Sequence, residues 1–234
     1  MESLKALGYR IHQDGATTLI VKPEIDVEKI PRTGPIGRPT TLKGRRQLRF
    51  LEPDLIVREL VHGGFFASLS SDRFYSPSRS IRELSISAYL ISRGVPTPEI
   101  MGLRIIQKGW YKNITVISRL VPKATDLIAY LATARENAGQ CFENAGKLVR
   151  RMHDLNVYHA DLHMKNFLLD SDTMMWLLDL DKAWRLPAMP SMLRTMNIHR
   201  FFRSCRKWSR KGRIILPPDY SARFRKGYYS LSVV

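Results

Sequence analysis

The chain has 234 residues, enough for one large domain or two small lobes, and 44% of them are hydrophobic, so a real core is expected. Its 38 Lys and Arg against 21 Asp and Glu leave a formal net charge of +17, a surface that seeks phosphate on nucleic acid, anionic lipid or nucleotide. The two cysteines, Cys141 and Cys205, form neither a disulfide framework nor a metal-ligand pattern, and no window approaches the ~18 uninterrupted apolar residues of a spanning helix. The N-terminus "MESLKALGYRIHQDG" has no secretory pattern. These features together predict an intracellular protein whose membrane contact, if any, is peripheral.

In chain order, "TTLIVKP" is short, β-branched and closed by Pro23, which predicts a strand. "GPIGRPTTLKGRR" is a loop by its Gly, Pro and Arg content. "DLIVREL" and "FFASLS" are strand-like on either side of the turn "VHGG". At Arg79 the period changes: Ile81, Leu84, Ala88 and Ile91 recur every three or four residues, which predicts a helix capped by Gly94. "VPTPEIMG" breaks the chain, and "LRIIQKG" and "YKNITVIS" read as a hairpin around Gly109 and Trp110. After a linker near "SRLVPK", "TDLIAYLATAREN" and "QCFENAGKLVRRMHDL" are amphipathic helices, the second with a stripe of Phe142, Ala145, Leu148, Val149 and Met152. "NFLLD" and "MMWLLDL" are two short strands around "SDT". The remainder is a basic tail with little periodicity. The pattern is α+β and two-lobed: an N-terminal antiparallel sheet with one helix over residues 1–119, then a mostly helical lobe over 120–234.

The segment "VYHADLHMKNFLLDSDTMMWLLDLD" places several carboxylates, two His and one Asn among apolar runs. His159 stands two before Asp161, Asn166 five after it, and Asp179 thirteen after Asn166. The catalytic loop of protein kinases has this logic. In phosphoryl transfer an Asp takes or orients the proton of the attacking hydroxyl, while an Asn and a later Asp hold Mg²⁺ against the phosphates of ATP. The ligands must be hard oxygens set at the ends of rigid strands, which the "FLL" and "MWLL" runs supply. Asp161 is therefore the candidate catalytic residue, with Asn166 and Asp179 as metal ligands. Asp181 is either a further metal contact or a solvated charge. Two departures stand out. His163 occupies the position where protein kinases have Lys, as in the small-molecule kinases of the aminoglycoside and choline type. And Asp179-Leu180-Asp181 replaces Asp-Phe-Gly.

Kinases also need a strand cation for the phosphates and a helix Glu to orient it. Arg58 in "DLIVREL" and Glu83 on the first amphipathic helix are the candidates, and an Arg fork binds phosphate bidentately. Lys22 is a rival cation, but Pro23 follows it at once. The phosphate-covering loop has one glycine, Gly44 in "LKGRRQLRF", where a Gly-rich loop has three.

The stretches "LIVRELVHGGFFASLSSDRFY", "SRSIRELSISAYLISRGVPTPEIMGLRI" and "YHADLHMKNFLLDSDTMMWLLDLDKA" resemble the lipopolysaccharide kinase family. In that family an Arg precedes a Gly-Gly turn, a helix carries Arg-Glu and a G-x-P-x-P element follows. Here these are Arg58, Gly63-Gly64, Arg82-Glu83 and Gly94 to Pro98. The resemblance spans residues 40 to 185 and runs loosely into the tail, with the first 40 residues matching poorly. It implies a protein-kinase-like fold, ATP with Mg²⁺, and as acceptor a sugar hydroxyl of the lipopolysaccharide inner core, on 3-deoxy-D-manno-octulosonic acid (Kdo) carried by lipid A. It also implies work at the cytoplasmic face of a bacterial inner membrane. Arg58 in place of Lys is shared with the family, so it does not argue for a dead enzyme.

From Arg185 onward the cations outnumber a single acid, Asp219, and aromatics such as Phe201, Phe202, Trp208, Phe224 and Tyr228 are interleaved with them. "MNIHRFFRSCRKWSRK" reads as a cationic amphipathic helix on anionic lipid, as a holder of lipid A phosphates, as an RNA surface, or as a solvated face. Alternative functions are a kinase for another acceptor (a heptose, a small molecule, a protein, or a partner in a tRNA-modification complex) and a pseudokinase that binds a partner.

Overall fold

The computed structural model describes residues 2–40, 48–51, 54–60, 74–133 and 137–230. Gly44, the Gly63-Gly64 turn and the strand expected over "FFASLS" lie outside the described residues. The chain divides into two compact units, one of residues 1–88 with 99–120 and one of 89–98 with 121–234.

The first unit opens with a short helix, α1 (Glu2–Ala6). Strands β1 (Arg10–Asp14), β2 (Thr17–Val21), β3 (Arg38–Pro39), β4 (Arg49–Leu51) and β5 (Leu55–Glu59) follow. Helix α2 (Ser78–Ser92) comes next, then the hairpin β6 (Ile100–Lys108) and β7 (Tyr111–Arg119). The strands form one antiparallel sheet in the order β1-β2-β6-β7-β5-β4-β3. The poorly matched N-terminal residues are thus part of this sheet, extending it by the β1–β2 hairpin beside β6.

The pleat sends alternate residues to opposite faces. Ile20, Leu103, Ile105, Ile114 and Val116 share one apolar cluster with Leu84 of α2. Leu19, Val21, Leu55, Val57 and Ile117 share a second with Ile30 and Ile36 from the β2–β3 connection. Both faces being covered explains why β6 reads as an almost unbroken apolar run rather than an alternating one. Helix α2 ends where expected, with Gly94 left-handed at φ 72°.

The second unit begins with β8 (Thr125–Asp126) and α3 (Leu127–Thr133), whose first turn is capped by Asp126 Oδ1 accepting from the amides of Ile128 and Ala129. Helix α4 (Ala138–Asp154) leads into β9 (Val157–His159), β10 (Phe167–Leu169), β11 (Met175–Leu177) and β12 (Ala183–Arg185). These strands make two small sheets, β11-β10-β8 and β12-β9.

The basic tail is not irregular. It forms α5 (Ser191–Arg210) and α6 (Tyr220–Ser230). Its aromatics are core: Phe201, Phe202, Phe224 and Tyr228 are buried with Phe142 of α4. Phe201 stacks on Phe224 at 5.0 Å between ring centroids and meets Phe142 and Phe167 edge-on. The apolar face that a helix on lipid would insert is therefore already used within the protein. Among the described residues no helix is long and apolar enough to cross a membrane.

Helices α4 and α6 approach through Gly146 and Gly227. A Cβ on Gly227 would strike the carbonyl of Glu143, and one on Gly146 the carbonyl of Phe224. Backbone cannot step aside as a side chain can, so Gly227→Ala is expected to cost about 3 kcal/mol, the upper end of overpacking penalties. Urea denaturation tests this; an unchanged midpoint would mean the helices are not in register through these glycines.

Candidate active site

Between β9 and β10 the chain alternates. Leu162 and Met164 are fully buried, as are Val157 and Phe167 that bracket them. The intervening Asp161, His163 and Lys165 point outward into a cavity. Apolar plugs at every second position fix the loop, which is how so many polar groups come to stand among buried neighbours.

A buried polar network anchors the loop from below. The main-chain N–H and C=O of His159 are both held by Asn197 of α5, which accepts at 3.3 Å and donates at 2.9 Å. The Asp161 amide donates to His159 Nδ1 at 3.2 Å, so the ring proton sits on Nε2 and is donated to the Leu178 carbonyl at 3.2 Å. His159 is completely buried, and that burial holds its pKa below the usual value, so it is a neutral strut. Asn197 Oδ1 also accepts from His153 Nε2 at 3.1 Å, and the Tyr228 hydroxyl donates to His153 Nδ1 at 2.8 Å. Burial pushes the His153 pKa down to about 4.

Asn166 ends a 3-10 turn (Met164–Asn166), and its side-chain amide donates to the Asp161 carbonyl at 3.0 Å. That orients the side chain through Nδ2 and leaves Oδ1 to ligate a cation. The β10–β11 hairpin pairs Phe167 with Leu177, and the Leu178 amide then donates to the Asn166 carbonyl at 2.8 Å. Asp179 is the next residue and is left-handed at φ 58°, ψ 58°. That conformation is uncommon for a residue other than Gly, and such backbone concentrates at functional sites. The hairpin therefore brings Asp161, Asn166 and Asp179 to one end of two short strands. Asp181 lies two residues on, half-buried in the 3-10 turn Leu180–Lys182.

The same turn carries a residue that sequence reasoning missed. Lys182 Nζ lies 2.6 Å from Asp161 Oδ2. His163 Nε2 is farther, at 3.9 Å from Oδ1. Partial burial pushes the Asp161 carboxyl up, but the hydrogen bond and charge of Lys182, helped by His163 and His159, win and hold its pKa below the ordinary carboxylate value. The cation absent at position 163 is thus present from another element.

In the first unit Leu55 and Val57 face the second apolar cluster, so Ile56 and Arg58 face α2. Arg58 Nη2 meets Glu83 Oε1 at 2.7 Å, with the Glu83 side chain 5% exposed and that of Arg58 33%. The rival Lys22 is engaged elsewhere, with Glu99 at 3.5 Å and over the Tyr9 ring.

Among the described residues no three His, Cys, Asp or Glu are grouped so as to hold a metal. Asn166 and Asp179 offer two hard oxygens, a donor set that suits Mg²⁺ shared with a nucleotide, because Mg²⁺ takes its other ligands from phosphate and water.

The antiparallel sheet with its helix, followed by helices carrying a small hairpin, is an α+β arrangement consistent with a kinase-like fold. The chain belongs to the Lipopolysaccharide kinase (Kdo/WaaP) family, whose profile it matches over residues 39–228. The match runs well past residue 185, through α5 and α6. Family membership places it among ATP-dependent phosphotransferases. Its relatives include the 3-deoxy-D-manno-octulosonic acid kinase of Photobacterium damsela subsp. piscicida, 28% identical over 185 residues, 76% of each chain. That of Mannheimia succiniciproducens is 29% identical over 180 residues, 74% of each chain. That of Xylella fastidiosa is 30% identical over 183 residues, 74% of this chain and 72% of the relative.

Proposed function

We propose that the protein is a Kdo kinase, with a protein-kinase-like fold whose lobes span residues 1–119 and 120–234. It transfers the γ-phosphate of ATP to a hydroxyl of Kdo on a lipid A precursor. The observation that carries the reading is the cluster of Asp161, Asn166 and Asp179 at one end of the β10–β11 hairpin, in a chain similar to three proteins named for that activity.

In this reading Asp161 is the catalytic base. Its depressed pKa keeps it ionised at neutral pH, ready to accept the hydroxyl proton. Bound Mg–ATP supplies the phosphoryl group and the charge that neutralises its oxygens. Asn166 and Asp179 hold the metal, and Arg58, steadied by Glu83, binds phosphate oxygens. Lys182 stands where negative charge builds on the transferred group, beside Asp161. Lys182→Met is expected to lower kcat by about 10²-fold, the size of one lost charge-stabilising donor. Lys182→Arg should restore part of it; full activity in the Met variant would leave the 2.6 Å contact without a catalytic role. Because the acceptor is a lipid, the protein works at the cytoplasmic face of the inner membrane as a peripheral protein.

The test is release of ADP from Mg–ATP with a panel of acceptors: Kdo-bearing lipid A, a heptose-bearing core and an unrelated protein. Turnover with the first alone supports the proposal. Turnover with the heptose acceptor alone moves the activity elsewhere in the family, and ATP binding without turnover on any of them points to a pseudokinase.

A further inference from the structure

We propose that the cavity beside Asp161 is the acceptor site, and that the outward face of α5 selects an anionic sugar there. The inference rests on the kinase reading and adds the residues that choose its substrate.

The cavity has a volume of about 780 Å³, the size of a pocket that takes a substituted sugar. It lies wholly within the second unit. One wall is the loop carrying Asp161, His163 and Lys165, and the other is α5 and the residue just beyond it. Neither Asn166 nor Asp179 lines it. The proposed base therefore lines the cavity while the proposed metal ligands do not, which leaves this side open to an acceptor hydroxyl.

Six cations line it: Lys165, Arg200, Arg203, Lys207, Arg210 and Lys211. The one carboxylate, Asp161, is already paired with Lys182. Among the described residues none of the six has a carboxylate within ion-pairing distance. Helix α5 carries no Asp or Glu at all. Arg203 and Lys207 stand four apart on α5, where like charges repel and destabilise a helix, and Lys211 follows four on at the helix end. A merely solvated face would mix signs. This one keeps the repulsion, and an anion seated among the cations relieves it.

The wall is also fixed relative to the base. The opposite face of α5 buries Phe201, Phe202 and Cys205, and its Asn197 clamps His159. Ser204 Oγ accepts from the Met164 amide at 3.2 Å, tying the helix to the loop itself. Lys165 and Lys211 both rest against the Trp208 indole, at 4.9 and 5.5 Å from the ring centroid. Lys165 and Lys211 are thus held before a ligand arrives, the helix that carries the other cations is fixed, and a concave wall closed by the Asp161 loop suits one sugar unit rather than a lipid plane or an RNA strand.

The shared chemistry is an anion near the reacting hydroxyl, and two sources supply it: a carboxylate on the acceptor sugar or a phosphate on the lipid that bears it. The experiment uses the full chain and a double variant, Arg203→Gln with Lys207→Gln. Both residues are exposed, and a thermal melt checks the fold. Equilibrium binding is measured for Kdo-lipid A in detergent, for the same lipid with its phosphates removed, and for the lipid with the Kdo carboxylate reduced to an alcohol. Mg–ATP binding and transfer are followed in parallel. The expected result is a loss of Kdo-lipid A affinity and a rise in acceptor KM of at least about tenfold, from two lost charge-assisted contacts, with Mg–ATP affinity unchanged. Loss with the reduced sugar in the wild type assigns the anion to the carboxylate, and loss with the dephosphorylated lipid assigns it to phosphate; either supports the site. Unchanged acceptor affinity in the double variant overturns it, as does loss of Mg–ATP or RNA binding in its place. Wild-type protein that binds the anionic lipid through these residues but transfers nothing leaves the cavity standing and removes the kinase reading. Transfer with an unchanged acceptor KM does the reverse.

Discussion

Asp161→Ala is expected to lower phosphate transfer by about 10³-fold, within the range lost when a positioned general base is removed. Mg–ATP binding should survive, because the substitution keeps the main-chain carbonyl that holds Asn166 and leaves Asp179 untouched. Asp179→Ala is the contrast. It removes a proposed metal ligand, so it should weaken Mg²⁺-dependent nucleotide binding itself. Equilibrium nucleotide binding measured beside single-turnover transfer separates the two. Near-wild-type transfer in the Asp161 variant would remove that residue from the chemistry.

The second large effect is on stability, as acid is added. His153 is fully buried with a pKa near 4, against about 6.5 for an exposed histidine. A folded pKa below the unfolded one means that the unfolded chain takes up the proton first. Stability from this group is complete above about pH 6.5, falls as pH drops toward 4, and is level below that. The span of about 2.5 units corresponds to about 3 kcal/mol, a large part of a domain's stability. His159, held low by burial, adds in the same direction. Asp161 does not share this window: its depressed pKa acts below the ordinary carboxylate range. Urea midpoints taken between neutrality and pH 4.5 test this in wild type and in His153→Gln. The wild type should lose stability steeply, and the variant along a shallower slope. Parallel slopes would mean that His153 is not the titrating group.

The loop of the proposed base is legible in the sequence because its residues are local. His159, Asp161 and Asn166 fall within eight positions, and the two strands that Asn166 precedes and Asp179 follows are adjacent in the chain. Arg58 and Glu83 are 25 residues apart, yet the strand cation and helix Glu that a kinase needs single out each of them, Glu83 on a helix marked by its period. Lys182 is not legible, because its contact with Asp161 exists only after the hairpin has folded back. Nor is the strut of Asn197, His153 and Tyr228, whose partners are 44 and 75 residues apart. The tail misleads for a different reason. Its cations draw the eye from a sparse pattern of buried positions: Asn197, Phe201 and Cys205 recur at four, and Phe224 and Tyr228 do so on α6. That spacing marks one buried stripe on each helix and is the available signal. The charges it leaves on the other face of α5 then line the cavity at Asp161.

The proposed Kdo kinase activity is tested most directly by incubating the protein with Mg–ATP labelled at the γ-phosphate and Kdo-bearing lipid A, and locating the label in the product by mass spectrometry. Label is expected on the Kdo residue, and is lost in Asp161→Ala. Label on another sugar, or none with ATP still bound, would contradict it.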